Sequence, residues 1–171
     1  GAKKVIGGDV SEEAINFSKK NFPLTRGFYK IMNIDRIPLK NNSFDVIVSF
    51  ETIEHVNNQQ KIVMEFNRLL KERGILIVST PNIKSYKKGL LQTKNPFHKN
   101  ELSLREIINI LNPTFKILSI YGQTDKRNIF ERIYEKFFGV VDNYQIKGVS
   151  FFKSPTYFIV VAKKIKKSVV Y

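Results

Sequence analysis

The chain has 171 residues, 42% of them hydrophobic and 12% aromatic, which is enough for one domain with a core. It has no cysteine, so disulfides and thiolate metal sites are excluded. No apolar run approaches the roughly 20 residues of a membrane-spanning helix. The opening GAKKVIGGD also lacks the charged-then-apolar layout of a signal peptide. We therefore expect a soluble, cytoplasmic protein without a membrane span.

The formal net charge is +14, from 29 Lys and Arg against 15 Asp and Glu. Such a balance attracts phosphates, nucleic acids or acidic surfaces. Because the lysines are spread along the chain, the first interpretation is an ordinary set of charged faces in contact with water. An acidic or phosphorylated substrate, a nucleic acid and a membrane surface are the alternatives.

Apolar runs in the first half predict three strands: VIGGD at residues 5–9, FYKIM at 28–32 and FDVIVSF at 44–50. The first is expected to be buried, and the third is apolar enough to be covered on both faces. SEEAINFSKKNF predicts a helix that Ser11 caps, with Glu12 and Glu13 at the positive end of its dipole.

The second half continues the alternation. A helix over residues 59–72 with an apolar stripe is expected to end at Gly74 as its C-cap. A strand over 75–80 stops at Pro81, and a long polar loop follows. Ser103 and Glu106 form a capping-box pattern that starts the next helix, and Asn112-Pro113 ends it. Residues 116–122 and 157–164 predict late strands.

Strands that alternate with helices predict an α/β fold, a sheet with helices on both faces, in a single domain. Ligands of such sheets bind beyond the carboxyl ends of the strands. Glu51, Glu54 and His55 follow one such end. Asp9 ends the first strand after two glycines, so its carboxylate can accept both hydroxyls of a ribose, or it can simply help to start the following helix.

Three segments together resemble the class I S-adenosylmethionine-dependent methyltransferases: VIGGDVSEEAINFSKK, IPLKNNSFDVIVSFETIEHV and FNRLLKERGILIVSTPN. They resemble most the small-molecule branch, whose consensus runs "GvDiS", "sFDvV", "EHv" and "RvLkpGG". Order and spacing agree over about residues 4–82. The resemblance implies a Rossmann-like sheet, mostly parallel with an antiparallel last strand, and S-adenosylmethionine as cofactor.

The resemblance also assigns roles. Asp9 matches the acid that binds the ribose diol, with Gly8 before it and Val10 beside the adenine. Asn33 stands where the family usually has an aspartate for the adenine amino group, and the Ile34 backbone N–H follows it. Phe50 and Glu51 match the turn beneath the sulfonium and methionine part. The implied cofactor-binding set is Gly8, Asp9, Val10, Asn33, Ile34, Phe50 and Glu51.

One departure is large. The family's first strand and its glycine-rich turn should precede Lys4, and that strand lies between the strands ending at Asp9 and Phe50. Without it the sheet has a central gap. Three interpretations are open: residues 1–171 are an N-terminally incomplete domain, the chain is a degenerate form that closes the gap differently, or another chain supplies the strand.

Two histidines are candidate bases for a hydroxyl acceptor, because the imidazole pKa lies near neutrality. The alternatives for His55 are that it orders the start of a helix, or that it binds a metal ion together with Glu51. No third ligand is evident for such a site, and no metal is predicted. His98 lies in NPFHKNELS. The combination of STPN, NPFH, ELSL and YGQ resembles methyltransferases found with sugar- and polysaccharide-modifying enzymes, so His98 can bind or deprotonate an acceptor hydroxyl, or it can be a loop histidine that packs ahead of a helix.

Residues 123–150 are expected to form a helical insertion or lid, since 128–139 carry an apolar stripe. Core packing is the first explanation of that stripe. A lid over the acceptor site, a homodimer contact and a membrane-surface helix are the others.

The sequence therefore predicts methyl transfer from S-adenosylmethionine to a small-molecule acceptor, with O-methylation of a sugar or glycan-like hydroxyl as the specific hypothesis. The alternative is a non-catalytic methyltransferase-like module that has lost cofactor binding and acts as a partner or scaffold. An RNA substrate is favoured by charge alone, and no NPPY-like tetrapeptide or aromatic base-stacking motif supports it.

Overall fold

The computed structural model describes residues 1–86, 99–125, 144–148 and 155–166. In these residues the strands are β1 Val5–Asp9, β2 Gly27–Ile31, β3 Phe44–Ser49, β4 Leu70–Pro81, β5 Phe115–Asp125, β6 Tyr144–Gly148 and β7 Tyr157–Lys164. The helices are α1 Glu12–Asn21, α2 Gln59–Leu69, α3 Ile83–Tyr86 and α4 Leu104–Leu111, with a short 3-10 helix at Ile53–His55.

The strands form two sheets. β1 and β2 pair in parallel as a two-stranded sheet, and the others form a five-stranded sheet in the order β3-β4-β7-β5-β6. β3 and β4 are parallel, and β7 is antiparallel to both β4 and β5. β5 therefore runs in the same direction as β3 and β4. The predicted α/β fold with an antiparallel last strand is confirmed, and β6 adds a further antiparallel strand.

The predicted interruption of the sheet is present, because no strand of the described residues joins β1 to β3. The interruption leaves apolar side chains uncovered on β3, where Val46 and Val48 are 49% and 57% exposed. The prediction that this strand is covered on both faces is therefore wrong. VIGGD is also not the buried strand expected from its composition, since no residue of β1 is buried.

Two helix starts form as their sequences predict. Ser11 caps α1, and its hydroxyl accepts the Ala14 amide. Ser103 and Glu106 make both hydrogen bonds of a capping box at α4. These side chains satisfy backbone N–H groups that have no partner within the helix.

The end of α2 differs from the prediction. The helix ends at Leu69, and the Leu70 amide donates to the Phe66 carbonyl as the cap. Gly74 is not its C-cap but lies inside β4, where a Cβ would come within 3.0 Å of the Lys71 carbonyl oxygen. The left-handed backbone that the sequence suggested for Gly74 occurs instead at Arg73, with φ 61°.

The core of the larger sheet lies between one face of β4 and β7 and the helices α2 and α4. Its buried members include Ile53, Ile62, Val63, Phe66, Leu70, Leu76, Val78, Ile107, Leu111, Phe115 and Val160. This packing fixes the carboxyl ends of β3 and β4, where Phe50 and Glu51 of the predicted site lie.

Part of the interval predicted as a helical insertion or lid, residues 123–150, is strand. β5 extends to Asp125, and β6 spans Tyr144–Gly148. Residues 126–143, which include the apolar stripe, lie outside the described residues. Among the helices that the structure does describe, none is long and apolar enough to cross a membrane.

Candidate cofactor and active site

The carboxyl ends of two strand pairs bring the predicted residues together in two groups. Asp9 and Ile31 are in register at the ends of β1 and β2, and the Met32 amide donates to the Asp9 carbonyl at 2.8 Å. We call Gly8, Asp9, Val10, Asn33 and Ile34 the Asp9 group. Ser49 and Val78 are in register near the ends of β3 and β4. We call the residues that follow them, Phe50, Glu51 and Ser79, the Glu51 corner.

The Asp9 carboxylate is exposed and takes part in starting α1. Its Oδ1 accepts the Ser11 amide at 2.8 Å. Within the described residues no hydrogen bond reaches Oδ2, and Asp9 makes no salt bridge there. The helix-start function that was one alternative for Asp9 is thus present, and it leaves one carboxylate oxygen for a ligand.

The two neighbours of Asp9 differ in what they offer a ligand. Val10 is largely exposed, as an adenine-contacting side chain must be before the cofactor binds. Gly8 is packed toward β2, because a Cβ there would overlap Cε of Met32. The glycine therefore makes room for Met32. That Gly8 also lets the cofactor come close to the backbone stays a prediction.

Asn33 begins a tight turn. Its Oδ1 accepts the Asp35 amide at 2.8 Å, and its carbonyl accepts the Arg36 amide at 3.2 Å. Such use of Asn is typical of an Asx-turn. The side-chain oxygen keeps a second lone pair for an adenine amino group. Ile34 packs half-buried against the core, which fixes the position of its backbone.

The loop that carries Asn33 is held on α2 by Arg68. The guanidinium donates to the carbonyls of Ile37 and Leu39 at 2.9 Å each and to Glu65 at 2.7 and 2.8 Å. Glu65 Oε1 also accepts the Ile37 amide. The Arg68 hydrogen bond holds the pKa of Glu65 below its usual range and raises that of Arg68. We call this arrangement the Arg68 clamp.

The Glu51 corner has an unusual backbone. Glu51 has φ 48°, in the left-handed region that side chains other than glycine rarely adopt. Its amide donates to Ser79 Oγ at 3.1 Å, and Ser79 Oγ donates to Glu51 Oε1 at 2.5 Å. Phe50 is more than half exposed beside it. The corner thus presents an aromatic ring and an ordered carboxylate at the end of β3.

Glu54 and His55, although adjacent, have different surroundings. Glu54 is fully buried, and its carbonyl accepts the amides of Lys99 and Asn100 at 3.0 and 3.1 Å. The His55 side chain is 38% exposed, with Nε2 3.7 Å from Glu54 Oε1. His55 belongs to the 3-10 helix and not to α2, which Asn58 caps. It is therefore placed where a solvent-side acceptor can reach it, with a carboxylate behind it.

The second predicted base, His98, lies outside the described residues. Within the described part of the chain, no three His, Cys, Asp or Glu side chains gather as ligands for a metal ion. The residue that sequence reasoning missed is Ser79. Its signal was a polar side chain directly after the apolar run ILIV, at a position that the sequence analysis assigned only to a strand.

Comparison with known proteins extends these observations. Residues 1–78 match a family described as "Methyltransferase domain". A probable S-adenosylmethionine-dependent methyltransferase of Mycobacterium tuberculosis is 36% identical over 110 residues, which are 64% of this chain and 39% of that protein. The ubiquinone biosynthesis O-methyltransferase of Pelagibacter ubique is 34% identical over 86 residues, 48% of this chain and 35% of its own length. The chain spans about two fifths of the length of these curated relatives.

Solved structures agree on the fold. An S-adenosylmethionine-dependent methyltransferase from Thermotoga maritima superposes with a TM-score of 0.69 at 20% identity, over 92% of this chain and 72% of that one. One from Mesorhizobium loti gives a TM-score of 0.64 at 16% identity, over 95% and 81%. At such identities the likeness concerns the architecture.

Proposed function

Since the chain belongs to the class I S-adenosylmethionine-dependent methyltransferases, we propose that it is the part of such an enzyme that holds the cofactor's nucleoside and faces a small-molecule acceptor. The observation that carries this proposal is Asp9. Its carboxylate stands exposed at the carboxyl end of β1, with one oxygen that no described residue engages. That is the position from which a carboxylate accepts the two hydroxyls of a ribose.

The residues present fit the nucleoside half of S-adenosylmethionine. Asp9 would accept the ribose hydroxyls, Val10 would cover the adenine, and the Asn33 turn would offer a side-chain oxygen and the Ile34 amide to its edge. The Arg68 clamp supports this proposal, because it holds the loop that follows the turn, at Ile37 and Leu39, before any ligand binds. Pre-ordering of a binding loop lowers the entropic cost of binding.

For the methionine half, the described residues offer one wall, the Glu51 corner. We propose that the other wall, with a strand between β1 and β3, comes from a segment outside residues 1–171, as one domain with them. The exposed Val46 and Val48 support this, because a neighbouring strand and the helices that accompany it would cover them. The lengths of the curated relatives leave room for such a segment.

When bound, S-adenosylmethionine supplies a methyl group already activated on a sulfonium. The protein then has to align the acceptor and exclude water, which is mainly a proximity effect. We propose that Phe50, which is more than half exposed beside Glu51, covers the reacting region. For a hydroxyl acceptor, we propose His55 as the base that takes the proton, because its side chain is 38% exposed just beyond the end of β3.

The acceptor that we propose is a hydroxyl of a small molecule, with a sugar or glycan-like hydroxyl as the specific hypothesis. The name of the Pelagibacter relative, an O-methyltransferase, supports oxygen as the methylated atom. His98, by its place in the sequence, is the second residue proposed to contact this acceptor.

The interruption between β1 and β3 favours one rival, a non-catalytic module that no longer binds the cofactor. Calorimetry with S-adenosylhomocysteine separates the two. We expect micromolar affinity for a form extended upstream of residue 1, weaker or no binding for residues 1–171 alone, and loss of binding on Asp9→Ala. An extended form that binds neither S-adenosylmethionine nor S-adenosylhomocysteine would overturn the proposal and leave the scaffold function.

A further inference from the structure

The Glu51 backbone is strained, and the Ser79 side chain contacts both its main chain and its carboxylate. A residue other than glycine with φ near +50° is unfavourable, and it persists where the surrounding structure determines it. Such conformations are frequent at ligand-binding turns. The question is what determines the conformation of Glu51.

The structure points to the hydroxyl of Ser79. It accepts from the Glu51 main-chain amide and donates to the carboxylate of the same residue, at 3.1 and 2.5 Å. Ser79 is itself buried in β4, so its hydroxyl does not move with solvent. The parallel pairing of β3 with β4 brings Ser79 next to the end of β3. We call these two hydrogen bonds the Ser79 latch.

We propose that Ser79 is a positioning residue for cofactor binding. By fixing both the main chain and the carboxylate of Glu51, the latch sets the turn on which the methionine half of the cofactor rests. This inference depends on the proposed function, because it assigns a purpose to the Glu51 corner within it. It adds to the predicted site a residue of β4, Ser79, that acts on the cofactor through Glu51.

Loss of the latch should weaken binding without unfolding the chain. Without the hydroxyl, Glu51 can relax to ordinary backbone conformations, and the ligand must then select the productive one. The apparent affinity then equals the intrinsic affinity multiplied by the fraction of molecules that keep the turn. Hydrogen bonds to a charged group are worth about one power of ten in an equilibrium constant or somewhat more.

The chain offers a matched control in the next residue. Thr80 is fully buried in the same strand, and its Oγ1 has no hydrogen-bond partner among the described residues. Thr80→Val therefore deletes a buried hydroxyl one position away without deleting a hydrogen bond. Any difference between Ser79→Ala and Thr80→Val comes from the latch and not from a changed strand.

The experiment is calorimetric titration of S-adenosylhomocysteine into the form of the protein that binds it, with each variant. We expect the dissociation constant to rise about tenfold for Ser79→Ala, to stay near the parent value for Thr80→Val, and to be restored largely by Ser79→Thr, which keeps the hydroxyl. Amide hydrogen exchange without ligand gives a second readout, in which Glu51 should exchange faster in Ser79→Ala only.

The failures are distinguishable. If the parent binds no S-adenosylhomocysteine, the proposed function fails, and the positioning function falls with it. If the parent binds and Ser79→Ala binds equally well, or Thr80→Val loses as much affinity, the latch proposal alone is overturned.

If Ser79→Ala does not fold, Glu51→Ala tests the latch instead, because it deletes the carboxylate that accepts from the Ser79 hydroxyl. Glu51→Gln keeps an acceptor for the Ser79 hydroxyl. Weaker binding by Glu51→Ala but not by Glu51→Gln supports the proposal, and equal binding by the parent and both Glu51 variants overturns it.

Discussion

The unit β1-α1-β2 and the five-stranded sheet are built from similar apolar residues, yet they bury them very differently. In the first unit Ile15 is the buried hydrophobic residue, while Val5, Phe28 and Ile31 are exposed. In the larger sheet, Ile62, Leu76 and Ile107 are completely covered. The difference lies in neighbours, since the described residues provide β1 with one partner strand and one helix. Composition decides what can be buried, and packing partners decide what is.

The proposed cofactor site is divided between the same two regions. The Asp9 group belongs mostly to the small unit and the Glu51 corner to the larger sheet. The loop that starts at Asn33 connects them, and the Arg68 clamp fixes that loop to the larger one. The comparison of the regions is therefore also a comparison of two halves of one site, and mutations can test it.

The largest effect on stability is expected when the same substitution, isoleucine to alanine, is made in the two regions. Ile107→Ala, at 0% exposure, should lower the free energy of unfolding by about 2–5 kcal/mol, the usual loss for a buried isoleucine. Ile31→Ala, at 49% exposure on β2, should cost no more than about 0.5 kcal/mol. Urea unfolding followed by far-UV circular dichroism measures both. Equal losses would mean that the small unit is packed as tightly as the large one.

The next effect concerns the clamp between the regions. Arg68→Ala removes hydrogen bonds to two carbonyls and to Glu65, and we expect a loss of about 2 kcal/mol. The amide of Ile37 should exchange faster with solvent, because the loop detaches from α2. Arg68→Lys, which cannot reproduce the fork of donors, should recover only part of the loss. Unchanged exchange at Ile37 in Arg68→Ala would contradict the clamp.

A smaller difference in stability is expected between two substitutions of Glu51, which follows the carboxyl end of β3. Glu51→Gly should be more stable than Glu51→Ala by about 1 kcal/mol, since glycine adopts the left-handed backbone without strain. Both variants lack the carboxylate, so their difference isolates the backbone. Thermal unfolding of the pair gives the measurement, and an alanine variant at least as stable as the glycine variant would show that the turn is not left-handed in solution.

The smallest effect is a dependence on pH. Arg68 depresses the pKa of Glu65 in the folded protein, so the stabilisation from this carboxylate is present above its unfolded pKa, about 4.3. It is lost as the pH falls from there through the lower, folded pKa. Glu65→Gln should therefore lose less stability than the parent over that acidic interval. Parallel curves of stability against pH for parent and variant would refute the coupling.

Much of the fold was predictable where local chemistry decides it. Ser11, Ser103 and Glu106 form the helix caps that their spacing indicates, and β7 has the bounds that its apolar run suggests. The end of α2 was mispredicted because Gly74 was taken as a C-cap signal. In the structure, Leu70 leaves the helix to start a strand, and Arg73 takes the left-handed conformation without glycine.

The site was predictable only in part. Sequence reasoning placed Asp9 and Glu51 at strand ends, and the structure puts them there. It could not foresee that Glu54 is buried while adjacent His55 is partly exposed, because the Glu54 carbonyl accepts the amides of Lys99 and Asn100, which are distant in the sequence. Nor could it find Ser79, whose importance comes from pairing between strands about thirty residues apart and not from its own neighbours.

The interruption between β1 and β3 also governs how isolated residues 1–171 should behave in a test tube. Unpaired strand borders that carry uncovered valines recruit further strands, including those of identical molecules. Mutual repulsion from a net charge of +14 opposes such encounters in dilute buffer. Added salt shortens the reach of that repulsion. Preparations of the isolated chain should thus cluster as ionic strength rises, whereas a form that fills the interruption should stay dispersed.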